Sequence, residues 1–157
     1  MIKVLTYGTF DLFHIGHVRL LERLKKLGDH LTVGLSTDEF NKKKSKKSIT
    51  AWEDRRDILL ATKYVDDVIK EETWEQKRTD IIKLDIKIFA MGDDWAGKFD
   101  DLKDLTQVMY LPRTLNVSTT DLKGAILKIY QDDALSILNE SINLSKNIEH
   151  FTKKYHD

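Results

Sequence analysis

Five short apolar runs separated by helical patterns are the feature that most restricts the fold of this chain. The runs, rich in β-branched residues, lie at residues 2–7, 30–36, 65–69, 86–92 and 107–112. Helical patterns fill residues 17–27, 51–63 and 75–84, and a further helix start lies at 118–120. Strands that alternate with helices form a parallel sheet with right-handed crossovers. The sequence therefore predicts an α/β fold with a five-stranded parallel sheet and flanking helices.

Smaller features refine this prediction. Thr50 and Glu53 have the spacing of a capping box, which predicts that a helix starts near Ala51. Residues 41–48 (NKKKSKKS) are too charged to pack, which predicts an exposed loop or a frayed helix end.

The C-terminal segment is different, because no strand follows it. Residues 132–157 carry an apolar stripe at helical spacing, formed by Ile137, Leu144, Ile148, Phe151 and Tyr155. Such stripes are typical of burial. We expect a domain at 1–130 and a helical extension, one helix or a pair, at 131–157. The extension would pack on the domain or on a partner subunit.

Composition excludes several classes of protein. The 157 residues fit one domain, and 26 basic side chains balance 26 acidic ones. A net charge of zero argues against a dedicated nucleic-acid binder. The absence of cysteine excludes disulfides and thiolate zinc sites. The sequence shows neither a signal peptide nor an apolar run long enough to span a membrane, so we expect a cytoplasmic protein.

The string GTFDLFHIGH, residues 8–17, is the strongest indication of chemistry. It joins the first strand to the first helix, where open α/β sheets bind ligands and where helix N–H groups suit phosphate. His14 and His17 lie three residues apart, a spacing that places two imidazoles on one side of a helix. They could stabilise charge on phosphate, and Asp11 is a candidate Mg²⁺ ligand. A structural histidine or a zinc pair is the alternative, but no further ligand cluster completes a zinc site.

The string resembles the HxGH motif of the cytidylyltransferase group, part of a larger nucleotidylyltransferase superfamily. The resemblance implies a Rossmann-like sheet and histidines that bind triphosphate without a covalent intermediate. It also implies CTP contacts from Thr9, Phe10 and His14–His17.

A second string, RTLNVSTT at Arg113–Thr120, follows the fifth strand and opens a helix. An arginine, hydroxyls and a helix N-terminus each bind phosphate, although Ser-Thr-Thr alone is more often a helix cap. The string resembles the RTEGISTT motif of the glycerol-3-phosphate cytidylyltransferase family, in which it holds the triphosphate. The implied CTP contacts are Arg113, Thr114, Leu115, Asn116, Val117, Ser118, Thr119 and Thr120. Leu115-Asn116 replaces the Glu-Gly of the motif. Asn tolerates a positive φ angle, so we expect the loop shape to survive.

Further similarity to the same family assigns the remaining residues. Met91–Trp95 (MGDDW) matches a family string in which a carboxylate, here Asp94, could accept a hydrogen bond from cytosine. The match implies that Lys44 and Lys46 act with His14, His17 and Arg113 in catalysis, Lys46 being near the nucleotide. It implies acceptor contacts from Asp11, Lys44, Arg55, Lys63, Asp66 and Lys77. Lys63 replaces a family arginine and loses the bidentate fork.

Together these similarities imply transfer of CMP from CTP to sn-glycerol 3-phosphate, which yields CDP-glycerol and pyrophosphate. The family also implies Mg²⁺ or another divalent cation, a homodimer, and a role in teichoic-acid synthesis. Two alternatives stay open. One is another transferase of the superfamily, which would use a different phospho-alcohol or ATP, and the other is a nucleotide-binding module without activity.

Overall fold

Five strands form one parallel sheet in the computed structural model, which describes residues 1–114 and 117–155, with side chains as far as residue 151. The strands are β1 (Lys3–Gly8), β2 (His30–Ser36), β3 (Asp67–Glu71), β4 (Ile88–Gly92) and β5 (Gln107–Leu111). The helices are α1 (Ile15–Lys25), α2 (Asp38–Lys43), α3 (Trp52–Leu60), α4 (Gln76–Leu84) and α5 (Thr119–Tyr155). The predicted fold class is confirmed.

The sheet is buried on both faces. Neighbouring residues of a strand point to opposite faces, so Val4 and Leu5 of β1 enter two separate cores. Val4 packs with Leu21 and Leu24 of α1, and Leu5 packs with Ile81 of α4. This double burial explains why the strands read as continuous apolar runs rather than as alternating patterns.

The strand order β3-β2-β1-β4-β5 positions the site. The chain runs outward from β1 through β2 to β3, then crosses to β4 on the other side of β1. A reversal of this kind opens a crevice at the carboxyl ends of the central strands, which is where ligands bind in open α/β sheets. The loop that follows β1 at Gly8 begins at this crevice.

The helix that was predicted to start near Ala51 is α3, which begins at Trp52 with Ala51 as its N-cap. The predicted capping box and the predicted end near Lys63 were wrong, because Ala51 makes no side-chain cap bond and the helix ends at Leu60. Thr50 instead donates its N–H to Asp11. The segment 41–48 is a helix end followed by a loop, as predicted, since α2 ends at Lys43 and residues 44–48 are not helical. Thr37 caps the start of α2 by accepting a hydrogen bond from the backbone N–H of Phe40.

The chain divides into two compact units, of which the first is Met1–Thr119 and the second begins at Thr120. The second unit is the rest of α5, one continuous helix and not a pair. Ile137, Leu144, Ile148 and Phe151 of the predicted stripe are exposed on it. The packing of this stripe on the domain or on a partner stays a prediction. Within the described part of the chain, no helix combines the length and the apolar content that a membrane span requires.

Candidate active site

His14 and His17 form the N-terminus of α1 through reciprocal hydrogen bonds to the backbone. The Nδ1 atom of His14, the N-cap residue, accepts from the N–H of Gly16 at 3.0 Å. The Nδ1 atom of His17 accepts from the N–H of His14 at 3.3 Å. The two imidazoles therefore do the work that Ser and Glu perform in a common capping box.

These bonds fix the tautomer of both rings. A neutral imidazole has one N–H and one acceptor nitrogen. Because both Nδ1 atoms accept, the proton of each neutral ring is on Nε2. Both rings thus present an Nε2–H donor on the side away from the backbone. The Nε2 of His14 lies 3.5 Å from Oγ1 of Thr119, whose hydroxyl donates to the carbonyl of Asp11 at 3.0 Å.

The ring of His17 is enclosed by other rings. It stacks on His14, with centroids 3.8 Å apart, and lies 5.2 Å from the ring of Phe10 and 5.5 Å from that of Phe13. Burial, followed by the neighbouring His14, lowers the pKa of His17 to about 4. Burial also lowers the pKa of His14. At neutral pH both rings are uncharged donors.

Gly16 is required by the ring of His14. A Cβ atom at residue 16 would lie 2.8 Å from Cε1 and 2.9 Å from Nδ1 of His14, and 3.4 Å from the carbonyl of Val117. A carbon contact under 3 Å cannot be relieved without moving the ring. The glycine of the HxGH motif therefore permits the imidazole to fold back over the helix start.

The loop between β1 and α1 is held in a strained conformation. Phe10 and Leu12 have φ angles of 49° and 47°, which are uncommon for such side chains. Between them, buried Asp11 accepts the N–H groups of Ile49 and Thr50, each at 3.0 Å. Asp11 thus ties this loop to the segment before α3.

The described residues suit a metal ion that binds together with a phosphate ligand. They suit a metal ion held by protein side chains alone less well. Within residues 1–114 and 117–155, no three His, Cys, Asp or Glu side chains form a metal cluster. Mg²⁺ in nucleotide sites is commonly held by one or two carboxylates plus the substrate phosphates. Asp11 is the carboxylate beside the histidines that fits this pattern, and its role as a ligand stays a prediction.

Arg55 lies beneath the site as a scaffold. Its side chain is buried, and it donates to the carbonyls of Thr9, Ser36 and Thr50. It also pairs with Asp38 at 2.5 Å. Arg55 joins the ends of β1 and β2 to α3, and this structure shows no bond from it toward the crevice. A direct acceptor contact stays a prediction.

The loop after β5 is anchored to α1 by Arg23. This side chain donates to the carbonyl of Pro112 at 2.7 Å and to Oγ1 of Thr114 at 3.2 Å. Arg113 lies exposed between those two residues. Val117, Ser118 and Thr119 return to the start of α1, as the contacts of Thr119 and the carbonyl of Val117 show. Leu115 and Asn116 lie outside the described residues, and Thr120 belongs to the second unit.

Two further predicted residues lie at the carboxyl ends of the strands. Asp94 follows β4 in a 3₁₀ turn and is exposed. Its carboxylate folds over Gly92, where a Cβ atom would meet Oδ1 at 2.5 Å. Thr9, directly after β1, donates its hydroxyl to Oδ1 of buried Asn41 at 3.0 Å.

The lysines separate into one exposed and two enclosed side chains. Lys46 is exposed in the loop after α2. Lys44 and Lys77 both pair with Glu71, the last residue of β3, at 3.4 Å and 2.6 Å. The structure therefore brings Lys44 and Lys77 together, although they are 33 positions apart in the chain.

Lys63 and Asp66 are not brought to this site. Asp66 accepts the N–H of Leu31, at the start of β2, and pairs with Lys25 at 2.5 Å. Lys63 lies near the same end, with its ammonium 5.3 Å from the ring of Tyr64. Both residues are at the amino-terminal edge of the sheet, opposite the histidines. An acceptor contact from either stays a prediction.

Sequence reasoning missed three residues of the site, which are Glu71, Ser36 and Arg23. Glu71 and Ser36 end neighbouring parallel strands, and that position was a signal that could have found them. Arg23 lies on α1 among other charged residues and carries no such signal.

A Rossmann-like sheet with two imidazole donors at its first strand-to-helix turn is the arrangement typical of nucleotidylyltransferases that carry an HxGH motif. The chain belongs to the cytidylyltransferase-like family, which matches residues 5–131. The resemblance noted from the motifs is confirmed.

Individual relatives narrow the comparison. Over 126 residues the chain is 59% identical to the glycerol-3-phosphate cytidylyltransferase of Bacillus subtilis, which covers 80% of this chain and 98% of the relative. It is 50% identical over 134 residues to the protein of that name from Staphylococcus aureus, with 85% and 99% covered. The crystal structure of the lipopolysaccharide core biosynthesis protein from Thermoplasma volcanium superposes with a TM-score of 0.62 at 26% identity. It covers 73% of this chain and 98% of that one.

Proposed function

We propose that this chain transfers CMP from CTP to sn-glycerol 3-phosphate and releases CDP-glycerol and pyrophosphate. The observation that carries the proposal is the pair of Nε2–H donors at the start of α1, fixed by backbone bonds to both Nδ1 atoms. Neutral donors held in this way need no rearrangement as charge develops on a phosphate. The 59% identity to a glycerol-3-phosphate cytidylyltransferase supports the choice of nucleotide and acceptor.

The reaction requires little proton chemistry. An oxygen of the acceptor phosphate attacks the α-phosphorus of CTP in line, and the bond from that phosphorus to the pyrophosphate oxygen breaks. The attacking group is already an anion, so positioning and charge stabilisation suffice. His14 and His17 would donate to the α-phosphate oxygens, and Arg113 with the hydroxyls of residues 118–120 would hold the leaving pyrophosphate. Mg²⁺, carried in on the triphosphate beside Asp11, would neutralise the remaining charge.

The acceptor would bind at the carboxyl ends of β2 and β3, on the side of β1 away from β4. Lys44 lies at the ends of β2 and β3, where its ammonium bonds to Ser36 and Glu71. Lys46, in the exposed loop that follows, would lie near the nucleotide. Asp94 at the end of β4 would accept from the amino group of cytosine. We further expect a homodimer that works in the cytoplasm and supplies CDP-glycerol for teichoic-acid-type polymers.

A pyrophosphate-release assay tests the proposal with CTP and ATP as donors. The acceptors are glycerol 3-phosphate, ribitol 5-phosphate and phosphoethanolamine. We expect the highest kcat/KM for CTP with glycerol 3-phosphate. A preference for ATP, or clear turnover only with another acceptor, would point to a different transferase of the superfamily. CTP binding without pyrophosphate release for any acceptor would favour a nucleotide-binding module.

A further inference from the structure

Glu71 is a buried carboxylate near the acceptor side of the crevice, and the proposed mechanism gives it no role. Its side chain is 2% exposed at the carboxyl end of β3. Oε1 accepts from Nζ of Lys77 at 2.6 Å. Oε2 accepts from the hydroxyl of Ser36 and from Nζ of Lys44, the latter at 3.4 Å. One carboxylate therefore joins β2, β3, α4 and the C-terminus of α2.

Aromatic rings surround the two ammonium groups. Nζ of Lys44 lies 4.3 Å from the centroid of Phe40 and 5.3 Å from that of Trp74. Nζ of Lys77 lies 4.4 Å from the ring of Tyr7 and 4.8 Å from that of Trp74. Ring faces attract cations, but they replace water poorly for a group that needs three hydrogen bonds. A carboxylate within this enclosure therefore supplies the opposite charge and the hydrogen-bond acceptors that the two ammonium groups lack among the rings.

The two lysines differ in their access to a ligand. The Lys77 side chain is 3% exposed, whereas the Lys44 side chain is 11% exposed. Lys44 also has the longer contact to Glu71, and it donates to Oγ of Ser36 at 2.9 Å. Lys44 is thus the ammonium that can reach an incoming anion, and Lys77 is fixed in a closed pair.

We propose that Glu71 is a positioning residue that holds Lys44 charged and in place for the acceptor phosphate. Lys77 bonds to the other oxygen of the same carboxylate, Oε1. The inference rests on the proposed function, since it takes the acceptor to be a phosphate monoester. With two lysines and one glutamate the cluster has a net positive charge, which suits such a dianion.

The electrostatic balance at Lys44 agrees with this geometry. Burial lowers the pKa of Lys44, and the charges of Lys46 and Lys77 act in the same direction. Glu71 opposes these effects, through both its charge and its hydrogen bond. Two further ionisable groups near the cluster, the hydroxyl of Tyr7 and the carboxylate of Asp80, bond to one another at 2.6 Å. Glu71 is accordingly the anion that favours the protonated form of Lys44.

Removal of the Glu71 charge separates two explanations, because they predict opposite changes in the KM for the acceptor. If Glu71 were only a negative charge near the acceptor, Glu71→Gln would strengthen acceptor binding. If it positions Lys44, the same change should raise the KM for the acceptor by roughly tenfold, as expected for losing a hydrogen bond to a charged group. That increase should grow between pH 7 and pH 9, because Lys44 then loses its proton more easily. The KM for CTP should stay near the wild-type value.

The experiment compares the wild-type chain with Glu71→Gln and with Glu72→Gln, an exposed neighbour that serves as the matched control. A lowered acceptor KM in Glu71→Gln, an equal rise in the KM for CTP, or a pH profile parallel to that of the wild type would overturn the inference. Should Glu71→Gln fail to fold, Ser36→Ala removes the hydroxyl between Glu71 and Lys44, which also lies 3.3 Å from the carbonyl of Gly8. It should raise the acceptor KM by a few fold, and an unchanged acceptor KM would count against the proposal.

Calorimetric binding of glycerol 3-phosphate gives a second measurement that does not need turnover. Glu71→Gln should weaken binding, and more so at pH 9 than at pH 7. Equal affinities of the wild type and Glu71→Gln for glycerol 3-phosphate would contradict the inference, even if the wild type catalyses the reaction. Absence of turnover in the wild type, with weakened binding in the variant, would sink only the proposed function.

Discussion

The histidine pair at the start of α1 and the lysine pair around Glu71 solve the same problem in different ways. His14 and His17 are three residues apart and are oriented by N–H groups of their own helix turn. Lys44 and Lys77 come from two helices and are oriented by a carboxylate on a strand. The histidine site is formed by neighbouring residues, so it can be recognised in the sequence, and adding or removing one atom there should disturb it. The lysine site forms only when the sheet brings its residues together.

The largest effect should come from changes that separate the two roles of each histidine. In His14→Asn or His17→Asn the side-chain oxygen can occupy the place of Nδ1 and keep the cap, but no donor reaches the place of Nε2. We expect kcat to fall by at least ~10²-fold, as for the loss of one preorganised donor. The melting temperature of His14→Asn should stay near that of the wild type, whereas His17→Asn also loses the ring contacts with Phe10 and Phe13. Steady-state kinetics and thermal unfolding measure both.

His14→Ala is the matched comparison for that experiment. It removes donor and cap together, so it should add about 1 kcal/mol of destabilisation to the same loss of turnover. If the asparagine variants keep normal turnover, His14 and His17 serve only as a helix cap. The comparison of two phosphate-binding sites would then be wrong.

A smaller effect is expected from Gly16→Ala, which tests how finely the local site is adjusted. The new methyl would lie 2.8 Å from the ring of His14 and would push it from its cap position. We expect about a tenfold loss of kcat, since small misplacement of a catalytic group is costly. Gly124→Ala on α5 is the control, because a Cβ there meets nothing within 4 Å. It should leave turnover unchanged and stabilise the helix by up to ~1 kcal/mol. Equal kinetics in the two variants would show that the ring position is unimportant.

Features that depend on neighbouring residues in the chain were predictable from the sequence. The five strands were found because burial on both faces gives continuous apolar runs, and the HxGH site was found because its geometry lies within four residues. The capping box at Thr50 failed because Asp11, far away in sequence, claims the N–H of Thr50. Tertiary contacts overrode a local pattern in that case.

Features assembled across the sheet were not predictable. Glu71 and Arg55 each join several elements, and a single sequence reveals the charge of such a residue but not its partners. Similarity assigned Lys63 and Asp66 to the acceptor, yet Asp66 lies at the amino-terminal edge of the sheet. The positive φ angles at Phe10 and Leu12 also carry no sequence signal, because neither residue type favours them.

The last effect concerns stability rather than turnover, and acid and alkaline pH should act on different regions of the molecule. The pKa of His17 falls from 6.5 to about 4 on folding, so below pH 6.5 the unfolded chain binds a proton that the folded chain refuses. The stability that comes from the neutral ring is therefore lost as the pH falls from about 6.5 to about 4. The loss amounts to roughly 1–3 kcal/mol, or several degrees in Tm. Alkaline pH instead acts on Lys44, through acceptor binding.

His17→Asn cannot take up this proton, so its melting temperature should fall less than that of the wild type between pH 7 and pH 5. Thermal unfolding of both proteins across that range measures the difference. Parallel curves would mean that His17 titrates normally in the folded chain. Its ring would then be an imidazolium for part of the working range, and the site would stabilise phosphate by charge rather than by two neutral donors. In that event the histidine pair would resemble the lysine cluster in its chemistry and differ from it only in how it is held.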